Sequence, residues 1–105
     1  MAHRRAAGRR ESTLERWCAS WARAHGMVVS KVTDPTGIAD HVFWSPGGAP
    51  WLVEFKDASV DLNDPKAGVH PLQWYYLIMM RHDGYRTAVV TTKEGFLWLM
   101  NRDGL

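Results

Sequence analysis

The sequence contains a single cysteine, Cys18, which excludes a disulfide framework and a zinc site built from several cysteines. One unpaired thiol is typical of a reducing compartment, so we expect a cytoplasmic protein or a viral protein that acts inside the host cell. Apolar runs stay far below the roughly 18 residues of a membrane helix, and none follows the first basic residues, so neither a membrane span nor a secretory signal is expected. Glycine-rich phosphate loops, nucleophile elbows and dinucleotide fingerprints are also missing, and no small-molecule cofactor is expected.

The 105 residues are rich in apolar side chains, at 46%, which is enough to form the core of one domain. The net charge of +2 hides an uneven distribution, because four arginines and no acidic residue lie in the first ten positions. These arginines are Arg4, Arg5, Arg9 and Arg10. Such a segment suits the phosphate backbone of a nucleic acid, but it is equally compatible with a solubilising, frayed terminus. We predict a basic flexible arm over residues 1–10 and a single domain over residues 11–105.

The patterning predicts an α/β fold with the element order α-β-β-β-α-β-α, a mixed four-stranded sheet flanked by helices. Helices are predicted over residues 11–25, 70–83 and 94–101. Strands are predicted over residues 27–33, 38–44, 51–56 and 85–92, of which the second and third form a hairpin. The first helix carries an apolar stripe at helical spacing, made of Leu14, Trp17, Cys18, Trp21, Ala22 and His25. Residues 57–69 are predicted to be a mobile loop.

Charged residues interrupt two otherwise apolar strands of the predicted hairpin. Asp40 lies in one strand, and Glu54 and Lys56 lie in the other, WLVEFK. Alternation along a strand places Glu54 and Lys56 on one side and Phe55 on the other, and Asp40 can lie beside the charged pair. Two carboxylates and an ammonium form an oxygen-rich site that suits Mg²⁺ or Mn²⁺, with Lys56 able to orient a water. A structural ion pair of Lys56 with either carboxylate is the alternative.

In this order and spacing, the residues resemble the PD-(D/E)XK nuclease superfamily and, more narrowly, its VRR-NUC domain. The matching stretches are the Glu15 helix ending at Gly26, Gly37-Ile38-Ala39-Asp40, the Gly47-Gly48 turn, Leu52-Val53-Glu54-Phe55-Lys56, and Pro71-Leu72-Gln73 opening a helix that ends at Gly84. The resemblance runs from about Glu11 to Val90 and implies a restriction-endonuclease-like core, so residues 11–105 are expected to be one VRR-NUC-like nuclease domain. Ala39 departs from the family, which usually has proline there, and this affects backbone shape more than chemistry.

The resemblance also implies roles for individual residues. Asp40 and Glu54 would be metal ligands, with the Phe55 carbonyl and Glu15 as further ligands. Lys56 would be the catalytic lysine, and Gln73 would help to shape the site.

Several of the candidate residues can also be explained by a purely structural role. A capping box with Ser12 explains Glu15 equally well, and Gln73 could simply bond backbone groups at a helix start. Lys31 is a candidate phosphate contact or a solvated side chain. The histidines lack metal-type spacing and are each predicted to be surface or capping residues, with His41 pointing away from Asp40.

The predicted function is Mg²⁺- or Mn²⁺-dependent endonuclease cleavage of DNA phosphodiester bonds. The helix predicted over residues 70–83 is apolar nearly all round, so a homodimer is expected, and two sites in a dimer suit branched DNA such as a four-way junction. One alternative is a non-catalytic nucleic-acid-binding module that keeps the nuclease fold and uses the arginine arm. Another is a structural subunit whose apolar helix docks a partner protein.

Overall fold

The computed structural model describes residues 2–32, 41–46, 48–59 and 78–102, with the backbone alone for residues 2–9. Its elements are α1 (Ala2–Ala24), β1 (Val28–Lys31), β2 (His41–Trp44), β3 (Trp51–Phe55), α2 (described over 78–82), β4 (Arg86–Val90) and α3 (Lys93–Arg102). This order confirms the predicted α-β-β-β-α-β-α arrangement. In the described part of the chain, no helix is both long enough and apolar enough to cross a membrane.

The four strands form one mixed sheet in the order β1-β2-β3-β4. The pairs β1–β2 and β2–β3 are antiparallel, so the predicted hairpin of the second and third strands is confirmed. β4 lies parallel to β3, with Glu54 opposite Val89 and Phe55 opposite Val90. The two central strands, β2 and β3, therefore have neighbours on both sides, and β3 is the more buried of the two.

Helix α1 begins at Ala2, nine residues before the start predicted at Glu11. Alanine and arginine both favour helices, and only Gly8 opposes them in this segment. The helix crosses the predicted boundary between residues 10 and 11 without a break. Ser12 consequently lies inside α1 instead of capping it, so the capping-box explanation of Glu15 is wrong.

Two glycines end helices in the way the sequence predicts. Gly26 has φ 80° and Gly84 has φ 94°, a left-handed conformation that favours glycine. After α1, the amide of Met27 donates to the carbonyl of Ala22 at 3.0 Å, and after α2 the amide of Tyr85 donates to Met80 at 2.8 Å. This pattern satisfies carbonyls that the helix ends leave open and turns the chain into the next strand.

The core lies between one face of the sheet and the helices α1 and α3. Among the residues that the structure describes, thirteen apolar side chains are buried, and the largest fully buried rings are Phe43, Phe55 and Phe96. The Phe43 ring lies 5.2 Å from Phe96 of α3 and 6.2 Å from Phe55 of β3. Cys18 of α1 is fully buried, and this burial raises the pKa of its thiol to about 12. The thiol is therefore neutral at physiological pH, which agrees with the core position predicted for it.

Candidate active site

Glu54 and Lys56 form an ion pair where β3 ends. The Nζ atom of Lys56 lies 3.3 Å from Oε1 of Glu54, and the Glu54 side chain is only 2% exposed. The Lys56 side chain is 18% exposed, so its ammonium reaches the surface next to a buried carboxylate. Burying a carboxylate costs free energy unless a charge or hydrogen-bond donors compensate it. The pair therefore supplies a negative oxygen and a positive nitrogen at one point of the protein surface.

The core residues on either side of Glu54 explain why it faces away from the core. Val53 and Phe55 are both fully buried, and the Phe55 ring packs against Phe43 and lies edge-on to His41 at 5.4 Å. Because side chains alternate along a strand, Glu54 points to the opposite face of the sheet. The predicted separation of Phe55 from Glu54 and Lys56 is confirmed, while a role for the Phe55 carbonyl as metal ligand stays a prediction.

The backbone of Lys56 is fixed on both sides. Its amide donates to the carbonyl of Val90 in β4 at 3.0 Å, which extends the parallel ladder by one residue beyond β3. The next residue, Asp57, is 4% exposed, and its carboxylate accepts hydrogen bonds from the amide and the hydroxyl of Ser59. The segment that carries Lys56 is thus held by β4 before it turns away from the sheet.

Asp57 also binds Arg10 of α1 in a two-point ion pair. Nε of Arg10 donates to Oδ1 at 2.7 Å, and Nη2 donates to Oδ2 at 3.1 Å. The guanidinium of Arg10 and the hydrogen bonds from Ser59 hold the pKa of the Asp57 carboxyl well below its usual range, and the pair raises the pKa of Arg10. Arg10 was predicted to contact nucleic acid, but here its guanidinium connects α1 to the residue after Lys56.

This contact was missed at the sequence level because Asp57 falls in a segment predicted to be a mobile loop. The position of Asp57 directly after a buried strand is the one local feature that indicates a structural role. Its partner, Arg10, lies 47 residues earlier in the chain, so no local pattern connects the two. The side chains of Arg4, Arg5 and Arg9 lie outside the described residues, and their predicted contact with nucleic acid stays a prediction.

Glu15 and His41 meet on the core side of the sheet. Nδ1 of His41 lies 3.9 Å from Oε1 of Glu15, and the two side chains are 9% and 18% exposed. The prediction of His41 as a surface or capping residue is wrong, because α1 and the aromatic core cover the first residue of β2. His41 and Glu54 point to opposite faces, since the Cα partner of His41 is Val53 and Glu54 is the next residue of β3.

Two predicted site residues, Asp40 and Gln73, lie outside the described residues. Lys31 ends β1 as an exposed residue whose Cα partner is His41. Among the described side chains, no three His, Cys, Asp or Glu residues lie close enough to hold a metal ion. Glu15 and Glu54 therefore do not form a three-ligand metal site with His41, and the predicted ligand set depends on Asp40.

The ion pair of Arg10 with Asp57 makes stability depend on pH in a defined direction. The folded-state pKa of Asp57 is lowered, so its contribution is present above the ordinary aspartate value of about 4 and is lost as the pH falls through the lower folded-state value. We expect Asp57→Asn to lower the free energy of unfolding at neutral pH. The difference from wild type should shrink below pH about 4. Urea unfolding followed across this range measures it.

The matched control for this titration is Asp83→Asn, since Asp83 is 61% exposed and its recorded side-chain contact is the exposed His82. That variant should have a free energy of unfolding close to that of wild type at neutral pH, because it changes an exposed side chain. If the difference in the free energy of unfolding between Asp57→Asn and wild type stayed constant below pH about 4, the lowered pKa of Asp57 would be contradicted. Arg10→Gln should give a smaller difference from wild type in the same direction, because it removes the ion pair but keeps the hydrogen bonds from Ser59 to Asp57.

Comparison with solved structures finds this fold in a protein described as a VRR_NUC domain. The two chains superpose with a TM-score of 0.72 at 22% sequence identity, and the match covers 88% of this chain and 95% of that chain. The likeness confirms the restriction-endonuclease-like fold that the sequence resemblance implied. Neither a family model nor a curated protein matches the sequence.

Proposed function

We propose that this protein is a metal-dependent DNA endonuclease that hydrolyses phosphodiester bonds. The observation that carries the proposal is the buried Glu54 carboxylate, 3.3 Å from the partly exposed Lys56 ammonium, at the end of the central strand. A carboxylate and an ammonium held together on the fold of a VRR_NUC domain are the groups that metal-assisted phosphodiester hydrolysis uses.

The proposal requires Asp40 to complete the site. Asp40 directly precedes His41, whose Cα partner is Val53, and Glu54 directly follows Val53. If this antiparallel register continued by one pair, Asp40 would lie opposite Glu54. Two carboxylates at such positions supply the hard oxygen ligands that Mg²⁺ and Mn²⁺ prefer. The Phe55 carbonyl is the further ligand we propose, and Gln73 would help to shape the site. Glu15 meets His41 on the face of the sheet opposite to Glu54, so this ligand set does not use it.

Glu54 and Lys56 would then have different roles in the reaction. Bound to Asp40 and Glu54, the metal ion would polarise the phosphate and lower the pKa of an attacking water. Glu54 holds a fixed negative charge at a buried position, so it loses little orientation freedom when it binds a cation. Lys56 brings an ammonium with three N–H donors to the same point, where it can orient the water and offset charge on a phosphoryl oxygen. Val90 and the Asp57 contacts keep the Lys56 backbone in place.

We also propose that two copies act together on branched DNA. In the described part of α2, Ile78 is 61% exposed and Met79 is 41% exposed, which supports an apolar surface available to a second copy. Two sites related by twofold symmetry would face two strands of a junction.

Cleavage assays on supercoiled plasmid and on synthetic branched DNA test the proposed activity. We expect cleavage with Mg²⁺ or Mn²⁺ and none in EDTA. Asp40→Asn should lower the rate at least about 100-fold and weaken metal binding measured by calorimetry, because it removes a ligand charge. Asp83→Asn, a change of the same chemistry at an exposed position, should leave both unaffected.

Cleavage that survives in EDTA or in Asp40→Asn would reject this site. DNA binding that falls with salt, without any metal-stimulated cleavage, would instead support the non-catalytic binding module.

A further inference from the structure

A groove lies next to β4, on the side of that strand where no described strand pairs with it. Among the described residues, β4 is paired with β3 alone, and a groove of about 280 Å³ lies along its other side. The groove is bounded by Arg81 at the end of α2 and by Gly95 and Trp98 of α3, with Val89 and Thr91 along the strand side. We call this space the edge groove.

An exposed tryptophan and an arginine line the edge groove, and a second arginine lies against the tryptophan ring. Trp98 is 61% exposed although it belongs to a helix whose Phe96 and Leu99 are buried. The guanidinium carbon of Arg102 lies 5.1 Å from the centre of the Trp98 ring. Arg81 is exposed and uses one N–H to donate to the carbonyl of Thr87 at 2.8 Å, which leaves further donors of its guanidinium for another acceptor. None of the described residues that line the groove is acidic.

The edge groove lies one strand away from the candidate active site. Val89, which lines the groove, is the Cα partner of Glu54, and the carbonyl of Val90 accepts the amide of Lys56. Neighbouring strands of a sheet are about 4.8 Å apart. A ligand in the groove would therefore lie close to a phosphate positioned at Glu54 and Lys56.

We propose that the edge groove binds one unpaired nucleotide of the substrate, with its base on Trp98 and its phosphate at Arg81 and Arg102. The assignment rests on the proposed nuclease function and adds a substrate class to it, namely DNA with an unpaired nucleotide beside the scissile bond. Aromatic rings combined with arginines are the usual platform for unpaired bases, whereas bases in a duplex are stacked on each other and cannot reach the indole. The groove volume of about 280 Å³ is large enough to hold one nucleobase.

A β-strand from another protein is the competing occupant of a free sheet edge. The hydrogen bond from Arg81 opposes it, because the Thr87 carbonyl that an added strand would use already has a donor. The cationic border also suits phosphates better than a neutral backbone.

Binding measured in EDTA tests the groove without cleavage. Fluorescence anisotropy compares a labelled single-stranded oligonucleotide with the matching duplex at one salt concentration. We expect Trp98→Leu to raise the Kd for the single strand about 5- to 150-fold, the usual loss when one stacking ring is removed, and to leave the duplex Kd unchanged. Trp98→Phe should restore most of the single-strand affinity, and Arg81→Gln should weaken it.

The matched control is Trp44→Leu, since Trp44 is another exposed tryptophan, on β2, and does not line the groove. It should leave both affinities unchanged. Equal losses for single strand and duplex in Trp98→Leu, or an equal loss in Trp44→Leu, would overturn the assignment. Plasmid cleavage by the same preparations is read separately. If the wild-type protein cleaves DNA and Trp98→Leu binds single strands with wild-type affinity, the groove assignment is wrong and the nuclease function stands. If the wild-type protein does not cleave DNA, the proposed nuclease function is wrong, whatever the binding results show.

Discussion

Replacing Lys56 by methionine is expected to lower the rate of DNA cleavage at least about 100-fold, since the change removes the charged group that we propose acts on the phosphate. The substitution keeps most of the apolar stem and deletes the ammonium that lies 3.3 Å from Glu54. The expected loss is in the rate of the chemical step, because the groups that bind DNA elsewhere are unchanged. Single-turnover cleavage with excess protein measures this rate, and anisotropy in EDTA measures DNA binding.

The matched control is Lys93→Met on α3, where the lysine is exposed and lies 4.9 Å from the ring of Trp17. This change removes the same charge from a different surface, so cleavage should stay near the wild-type rate. If both lysine variants lost cleavage equally, net charge and not position would be the cause. Lys56→Arg keeps the charge on a broader, planar group and should recover only part of the rate.

The structural ion-pair alternative makes the opposite prediction for Lys56→Met. A pair that serves stability alone would lower the free energy of unfolding and leave cleavage per folded molecule unchanged. Urea unfolding of the same preparations separates the two effects. An unaltered cleavage rate in a folded Lys56→Met protein would therefore remove Lys56 from the proposed mechanism.

Local patterns predicted those parts of the fold that depend on neighbours in sequence. The apolar stripe of α1 identified Cys18 and Ala22, which are fully buried. Alternation in WLVEFK separated Phe55 from Glu54, and the two glycines marked the helix ends at which the chain turns. The hairpin of β2 and β3 was predictable because a short turn joins two β-branched and aromatic segments.

Contacts between distant segments were not predictable in this way. The pairing of Arg10 with Asp57 requires that α1 pass over the end of β3. The spacing of apolar residues within each segment contains no information about how two segments cross. The burial of His41 likewise depends on α1, which covers the start of β2 and brings Glu15 to 3.9 Å. The predicted start of α1 at Glu11 is too late, because a basic segment that suits a flexible arm is also made of residues that favour a helix. Such errors fall where packing between segments overrides local preference.

The same packing sets the largest stability effect we expect, the loss of Phe96. Phe96 of α3 is fully buried and packs against both the sheet and α1. Its ring centre lies 5.2 Å from that of Phe43 in β2 and 5.7 Å from that of Trp21 in α1. Phe96→Ala should lower the free energy of unfolding by about 3–5 kcal/mol, since it removes apolar contacts and leaves a cavity. A domain of this size has only about 5–15 kcal/mol in total, so the variant would be marginally folded. Urea unfolding with a constant slope measures the loss.

Trp98→Leu provides the control from the same helix, two residues further along and 61% exposed. It should change the free energy of unfolding by no more than about 0.5 kcal/mol, as is usual for surface positions. The comparison isolates burial, because both changes shorten an aromatic side chain in α3. Similar losses in the two variants would mean that α3 does not pack against Phe43 as described. The contacts of Phe43 with Phe96 and Phe55 would then no longer explain how β3 is held with Glu54 on its outer face.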